Sequence, residues 1–188
     1  MLELENISLS FGAHSVLNNF SLRLSAGERI ALTGPSGCGK TSLLRIIAGL
    51  QKPDSGTVNA GTDKISYMFQ EVRLLPWLTA AENVNLVLSD SAETLPRAAE
   101  WLEKFGMKEA ADKYPAQLSG GMQQRTALAR TLAAPAELML LDEPFKAMDE
   151  ELRTKVIQTV DENCRAALIL VTHDEEEARA LGCHIIRL

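Results

Sequence analysis

Gly34-Pro35-Ser36-Gly37-Cys38-Gly39-Lys40-Thr41 spells a complete G-x-x-x-x-G-K-[ST] phosphate-binding loop. An aliphatic run, Arg29-Ile30-Ala31-Leu32, leads into it, and Ser42-Leu43-Leu44-Arg45-Ile46-Ile47-Ala48 follows at helical spacing before Gly49 caps the end. Strand, glycine loop and helix come in the order that phosphate binding requires. The glycines let successive main-chain N–H groups turn toward an anion, and the helix start adds partial positive charge. Lys40 would reach the β- and γ-phosphates of a nucleoside triphosphate, and the Thr41 hydroxyl would ligate Mg²⁺. A plain glycine turn before a buried helix explains the spacing, but it leaves Lys40 and Thr41 to chance.

The composition sets bounds on the remainder. With 188 residues and 46% hydrophobic content, the chain can bury one substantial core and carry a small inserted lobe. A net charge of -6 and a pI near 5.2 argue against a nucleic-acid surface, which needs clustered Lys and Arg. Cys38, Cys164 and Cys183 lack metal-ligand spacing, and Cys38 lies inside the loop, so a reducing compartment fits better than a disulfide framework. The opening Met1-Leu2-Glu3-Leu4-Glu5 has no signal-peptide pattern, and no apolar run approaches the ~20 residues of a membrane span. A membrane role would therefore need a separate spanning protein.

In chain order, Leu2, Leu4, Ile7 and Leu9, then Val16, Phe20, Leu22 and Leu24, alternate with polar residues around Gly12-Ala13-His14. This predicts an antiparallel strand pair with Phe11 at its turn. Ser25-Ala26-Gly27-Glu28 connects tightly to the strand before the loop. After Pro53-Asp54-Ser55-Gly56, a second pair is expected from Thr57-Val58-Asn59 and Ile65 to Phe69, ending at Gln70. From Glu71 to about Gln117 the pattern turns helical: a capping box at Thr79 to Glu82 opens a helix through Leu88, and Pro96 starts another that Gly106 ends. Ser119-Gly120-Gly121 then begins a long helix, Met122 to Ala134, at a second glycine-rich anion site. Leu138-Met139-Leu140-Leu141 and Ala167 to Val171 read as strands buried on both faces, ending in Asp142-Glu143-Pro144 and Thr172-His173. A helix is expected over Glu150 to Asn163, another begins at Asp174 to Glu177, and His184 to Leu188 is the last strand candidate. Alternating strands and helices with polar residues at strand ends indicate an α/β sheet whose site lies along its carboxyl edge.

Taken together, the loop, Gln70, Leu118-Ser119-Gly120-Gly121-Met122-Gln123-Gln124, Leu138 to Glu143, Ala147-Met148-Asp149 and His173 resemble the ATP-binding-cassette (ABC) ATPases, over essentially the whole chain. Leu-Ser-Gly-Gly is the specific element, since the loop alone is shared with kinases and GTPases. Phe69 to Thr79 is similar to the nitrate, sulfonate and taurine importer group. The resemblance implies a mainly parallel core sheet with an N-terminal antiparallel β subdomain, over 1–70 and 118–188, and an inserted helical subdomain over 71–117.

The resemblance also implies roles. Phe11 would stack on adenine, although an apolar residue at a hairpin end has a structural reading too. Gly34, Pro35, Ser36, Gly37, Cys38, Gly39, Lys40, Thr41 and Ser42 would hold ATP. Thr41, Gln70 and Asp142 would serve Mg²⁺, Glu143 would act as general base, and Gln70 would position water. His173 would hydrogen-bond the γ-phosphate; alone it would read as a capping or core histidine. Ser119, Gly120 and Gly121 would close on ATP held by a second copy in a head-to-tail homodimer, with Asp149 bridging the two sites. An ordinary Ser cap explains Ser119 but not the two glycines. Leu74, Leu75, Pro76, Trp77 and Leu78 form an apolar patch that is either the lobe's own core or, as in the family, the dock for a transmembrane permease subunit.

The implied function is the ATPase subunit of an importer for a small nitrate-, sulfonate- or taurine-like solute, peripheral on the cytoplasmic membrane face, with an extracytoplasmic solute-binding protein as an indirect partner and no nucleic acid. The alternatives are a non-importing ABC ATPase, of cell-division, lipoprotein-release or DNA-repair type, and a small-molecule kinase, which would leave Ser119 to Gly121 unexplained. Two departures stand out. Lys146 replaces the small residue usual before the Asp149 loop, and the chain stops at Leu188 where family members continue, which leaves either a compact form or an open sheet edge.

Overall fold

The computed structural model describes residues 2–12, 14–146 and 148–188; Met1, Ala13 of the expected hairpin turn and Ala147 ahead of Asp149 lie outside the described residues. The chain forms two compact units, one of Met1–Tyr67, Glu137–Asp142 and Arg165–Leu188, the other of Met68–Ala136 and Glu143–Cys164.

The first unit holds two sheets. In one, β1 (Leu2–Phe11) pairs antiparallel with β2 (His14–Leu24), and β4 (Ser55–Asn59) adds to the other side of β1. The apolar positions of β1 jump from Leu4 to Ile7 because the register shifts between them, with Asn6 in left-handed backbone at φ 52°. Asn19 does the same on β2 at φ 49°. Asn tolerates this region better than bulkier residues, and serines satisfy the displaced amides: Asn6 N–H donates to Ser21 Oγ at 2.9 Å, and Asn19 N–H donates to Ser8 Oγ at 3.0 Å.

The second sheet has the order β5 (Ile65–Met68), β6 (Leu138–Asp142), β7 (Ala167–Val171), β3 (Arg29–Thr33), β8 (His184–Arg187). The pairs β6/β7, β7/β3 and β3/β8 are parallel. Every residue of β6 and β7 is buried, as their unbroken apolar runs require. Helix α1 (Lys40–Ile47) follows β3, and α6 (Glu175–Ala180) links β7 to β8. Leu4, Ile7 and Leu24 of the first sheet join Ile30, Leu32, Leu43, Leu44, Leu140 and Ile169 in one core.

One expectation fails here, because β4 and β5 do not pair with each other. Each instead fills a different sheet edge: β4 lies along β1 with Val58 opposite Leu4, while β5 joins β6. Both strands carry apolar residues that pack on the shared core, among them Val58, Ile65 and Tyr67, so burial wins over local hairpin closure.

The second unit is helical, built from α2 (Ala80–Asn85), α3 (Leu95–Lys104), α4 (Gly120–Ala133) and α5 (Glu150–Asn163), with 3₁₀ turns at Lys108–Ala110 and Pro115–Gln117. Ala80, Val84, Ala98, Leu102, Phe105, Met107 and Leu128 are buried within it. The capping box at α2 forms as expected: Thr79 N–H donates to Glu82 Oε2 at 2.7 Å and Glu82 N–H to Thr79 Oγ1 at 3.2 Å. The helix stops three residues short of Leu88. Asn85 ends it, its side chain donating to Ser91 O at 2.9 Å and accepting from the Thr94 hydroxyl at 2.7 Å, which draws the chain aside. Among the described residues, no helix is long and apolar enough to cross a membrane.

Candidate functional site

The carboxyl edge of the parallel sheet gathers the first group of candidates. Leu32, Val171 and Asp142 sit side by side in register, so the glycine loop after β3, Asp142 at the end of β6 and Thr172-His173 after β7 emerge at one edge. This edge belongs wholly to the first unit.

The loop is shaped by its glycines. Gly34 lies at φ 146° and Gly39 at φ 103°; a Cβ on the first would come within 2.7 Å of Leu188 O, and on the second within 2.8 Å of Val16 Cγ1. At Gly34 the obstacle is main chain, at Gly39 it is the Val16 and Leu17 side chains, and the positive φ strains any other residue at either place. Gly39 starts α1 without a side-chain cap, whereas Thr79, Ser119, Asp149 and Asp174 cap α2, α4, α5 and α6 with their own side chains. The first-turn N–H groups of α1 have no intrahelical acceptor and are suited to an anion. Lys40, only 5% exposed, folds back over the loop: Nζ donates to Gly34 O and Pro35 O, both at 2.8 Å, with Cys38 Sγ at 3.7 Å.

Asp142 is 1% exposed at the end of β6. Beside it the buried Thr172 hydroxyl donates to the buried Glu177 carboxylate and accepts from Asp174 N–H at 3.0 Å, which fixes the turn presenting the exposed His173. Phe11, at the β1 end opposite His14, is 56% exposed, so its ring face is open to a planar ligand.

The second unit holds the rest. Gln70 Nε2 donates to Glu143 Oε2 at 3.2 Å, and Lys146 Nζ lies 3.5 Å from that same oxygen. Glu143 takes left-handed backbone at φ 49°, an unusual state for a Glu. It is held by the buried Gln124 of α4, whose Nε2 donates to Glu143 O and Pro144 O, each at 3.2 Å. At the start of α4 the exposed Ser119 accepts from Met122 N–H at 3.3 Å. Arg125 clamps that turn, donating to Gly121 O at 3.4 Å and Phe105 O at 3.0 Å. Asp149 caps α5, accepting from Leu152 N–H at 2.9 Å. Burial pushes the Arg125 and Arg130 guanidiniums below their ordinary value, and Asp149 opposes this at Arg125.

The apolar stretch divides between two readings: Leu74, Leu75 and Leu78 are half-buried, whereas Trp77 is 68% exposed. What shapes it is Asn83, which the sequence reading passed over. This fully buried residue accepts from Leu75 N–H at 2.8 Å and donates to Leu75 O, Leu78 O and Thr79 O at 3.1, 3.1 and 2.9 Å. Arg130 of α4 adds a bond to Arg73 O at 2.8 Å and one to Asn83 Oδ1 at 3.5 Å. The available signal was a polar side chain at helical spacing from Ala80 and beside Val84 in a short helix. Asn83→Ala strips Leu75 and Leu78 of buried partners, so we expect a loss of roughly 2–4 kcal/mol, read as a lower denaturation midpoint of the chain. A midpoint equal to wild type would contradict this account.

A glycine loop closed by its own lysine, ahead of a helix and beside a buried strand-end aspartate on a parallel sheet, defines a phosphate-loop nucleotide-binding domain. The family model described as ABC transporter matches residues 17–146, and the chain belongs to that family. It is 43% identical to the aliphatic sulfonates import ATP-binding protein SsuB 1 of Burkholderia cenocepacia (strain HI2424), over 97% of this chain and 59% of that protein. It is also 41% identical to SsuB 3 of Pseudomonas syringae pv. tomato, over 98% of this chain and 72% of that one. The chain thus spans about three-fifths of the length of the Burkholderia relative. Among solved structures, the ATP-binding cassette MJ0796, in a dimeric post-hydrolysis state bound to ADP and Pi, superposes with a TM-score of 0.89 at 34% identity, covering 100% of this chain and 94% of that one. The expected cassette fold is borne out.

Proposed function

We propose that this chain is the ATP-binding, ATP-hydrolysing subunit of a membrane importer for a small solute of nitrate, sulfonate or taurine type. The observation that carries the reading is the Lys40-bracketed glycine loop on one sheet edge with Asp142, in a chain 43% identical to a sulfonate-import ATP-binding protein.

In this reading the adenine stacks on Phe11, and the loop from Gly34 to Ser42 wraps the phosphates. Lys40 already spends two donors on the loop, and its third faces Cys38 Sγ, a weak acceptor that a phosphate oxygen outcompetes. Mg²⁺ suits the hard oxygens of Thr41, Asp142 and Gln70, whose amide nitrogen is engaged with Glu143 and whose oxygen remains an acceptor. When bound, it would neutralise charge on the β- and γ-phosphates. Glu143 takes a proton from water as the water oxygen attacks the γ-phosphorus, the bond from that phosphorus to the ADP oxygen breaks, and ADP and phosphate leave. His173 donates to the γ-phosphate.

The start of α4 at Ser119, Gly120 and Gly121 would serve the ATP of a second copy, with Asp149 at the junction. ATP then joins two chains and its hydrolysis separates them, a population shift driven by tighter binding to the closed pair. Trp77 and its neighbours would receive a cytoplasmic helix of a transmembrane permease subunit, which places the chain peripherally at the cytoplasmic face. An extracytoplasmic solute-binding protein would act through that permease.

Affinity purification of the tagged chain from native membranes with ATP, followed by mass identification, tests the reading. A co-purifying multi-span protein is expected. Recovery of nucleic-acid enzymes, or of soluble proteins alone, would remove the importer assignment.

A further inference from the structure

We propose that Lys146 is a positioning residue for hydrolysis that holds the Glu143 carboxylate in place when Gln70 turns to the nucleotide. The inference rests on the reading of Glu143 as general base. Its physical basis lies within the second unit.

Lys146 is delivered to Glu143 by a built turn. Lys146 N–H donates to Glu143 O at 3.4 Å, closing residues 143–146, while the buried Pro144 and Phe145 anchor the middle of the turn. Gln124 pins the main chain at Glu143 and Pro144 from α4. The Lys146 ammonium then returns to within 3.5 Å of Glu143 Oε2, the oxygen that also accepts from Gln70 Nε2 at 3.2 Å. The carboxylate side chain is 17% exposed and the lysine 65%, so water screens the pair, and the expected effect is modest.

A glutamate has three side-chain torsions, and a general base must present its lone pair within hydrogen-bond reach of the attacking water. A hydrogen bond and an ion pair on one carboxylate oxygen limit its rotation. If Gln70 exchanges Glu143 for the nucleotide, the amide contact is lost and the Lys146 ion pair is kept. A small residue at 146, which the cassette pattern usually has, would offer no such replacement. The groups set against this carboxylate in its unit include the cationic Lys146 and the neutral Gln70.

The test uses the full chain with MgATP. Lys146→Met should lower kcat by roughly two- to five-fold, the range of a screened ion pair, with KM for ATP close to that of wild type. Lys146→Arg, which keeps the cation and hydrogen-bond donor, should restore most of kcat. A merely structural lysine would not separate kcat from KM, nor depend on charge. Unchanged or raised kcat in Lys146→Met overturns the proposal, as does a loss that Arg does not restore. Glu143→Gln separates the two levels: if it retains turnover, the base assignment fails. If it is inactive while Lys146→Met matches wild type, only the positioning role fails.

Discussion

Glu143→Gln is expected to lower ATP turnover by roughly 10²- to 10⁴-fold while ATP still binds. Gln preserves the length and shape of Glu and can still accept from Gln70 Nε2 through its amide oxygen, so the 3.2 Å contact has a direct replacement. What it lacks is a carboxylate able to take a proton from water. The phosphate loop, Lys40 and Asp142 are untouched, so nucleotide affinity should be preserved. If the start of α4 at Ser119 to Gly121 completes the site of a second copy, blocking hydrolysis should also trap the ATP-joined pair. At saturating ATP, light scattering should give twice the monomer mass for the variant and a return to monomer when ATP is removed. A variant that binds ATP yet stays strictly monomeric would sink the two-chain site, and one that hydrolyses ATP at the wild-type rate would sink the role of Glu143. The two readouts fail independently, because proton transfer and subunit closure rest on different residues.

How far the sequence could be read depended on whether an element's cause was local. Helix α5 begins at Glu150 and ends at Asn163 as expected, because Asp149 supplies its cap at one position and the chain turns to strand soon after. Strands β6 and β7 were legible because burial on both faces leaves an unbroken apolar run. The partners of β4 and β5 were not, since edge choice depends on which sheet offers an open strand, a fact held elsewhere in the chain. The stop of α2 at Asn85 depends on Ser91 and Thr94, and the spacing of Leu4 and Ile7 makes sense only once Asn6 is seen in a bulge. The candidate residues followed the same division. Motif order named Gln70 and Glu143 separately, across 73 positions, but could not bring them to one hydrogen bond. Gln124 and Arg130 act on main-chain carbonyls of distant loops, and Asn83 on those of the turn just before its helix; such contacts leave no periodic trace in sequence.

Lys40→Ala should weaken ATP binding by about 10²- to 10³-fold, equivalent to about 3–4 kcal/mol, measured by titration calorimetry. The loss has two sources that the structure separates. One is direct: the cation proposed to meet the phosphates is gone, and charge-assisted hydrogen bonds are worth about 1.5–3 kcal/mol each. The other is indirect: Nζ now ties Gly34 O to Pro35 O at 2.8 Å each, so its removal releases the loop that must turn its amides toward the ligand. Lys40→Met keeps most of the side chain's volume while removing the ammonium, so the two sources can be compared. If charge dominates, Met and Ala should lose affinity equally; if packing at this buried position also orders the loop, Met should retain part of the binding that Ala loses. Wild-type affinity in both would contradict the loop as the nucleotide site, because its one lysine, 5% exposed and bonded to Gly34 O and Pro35 O, would then have no part in binding.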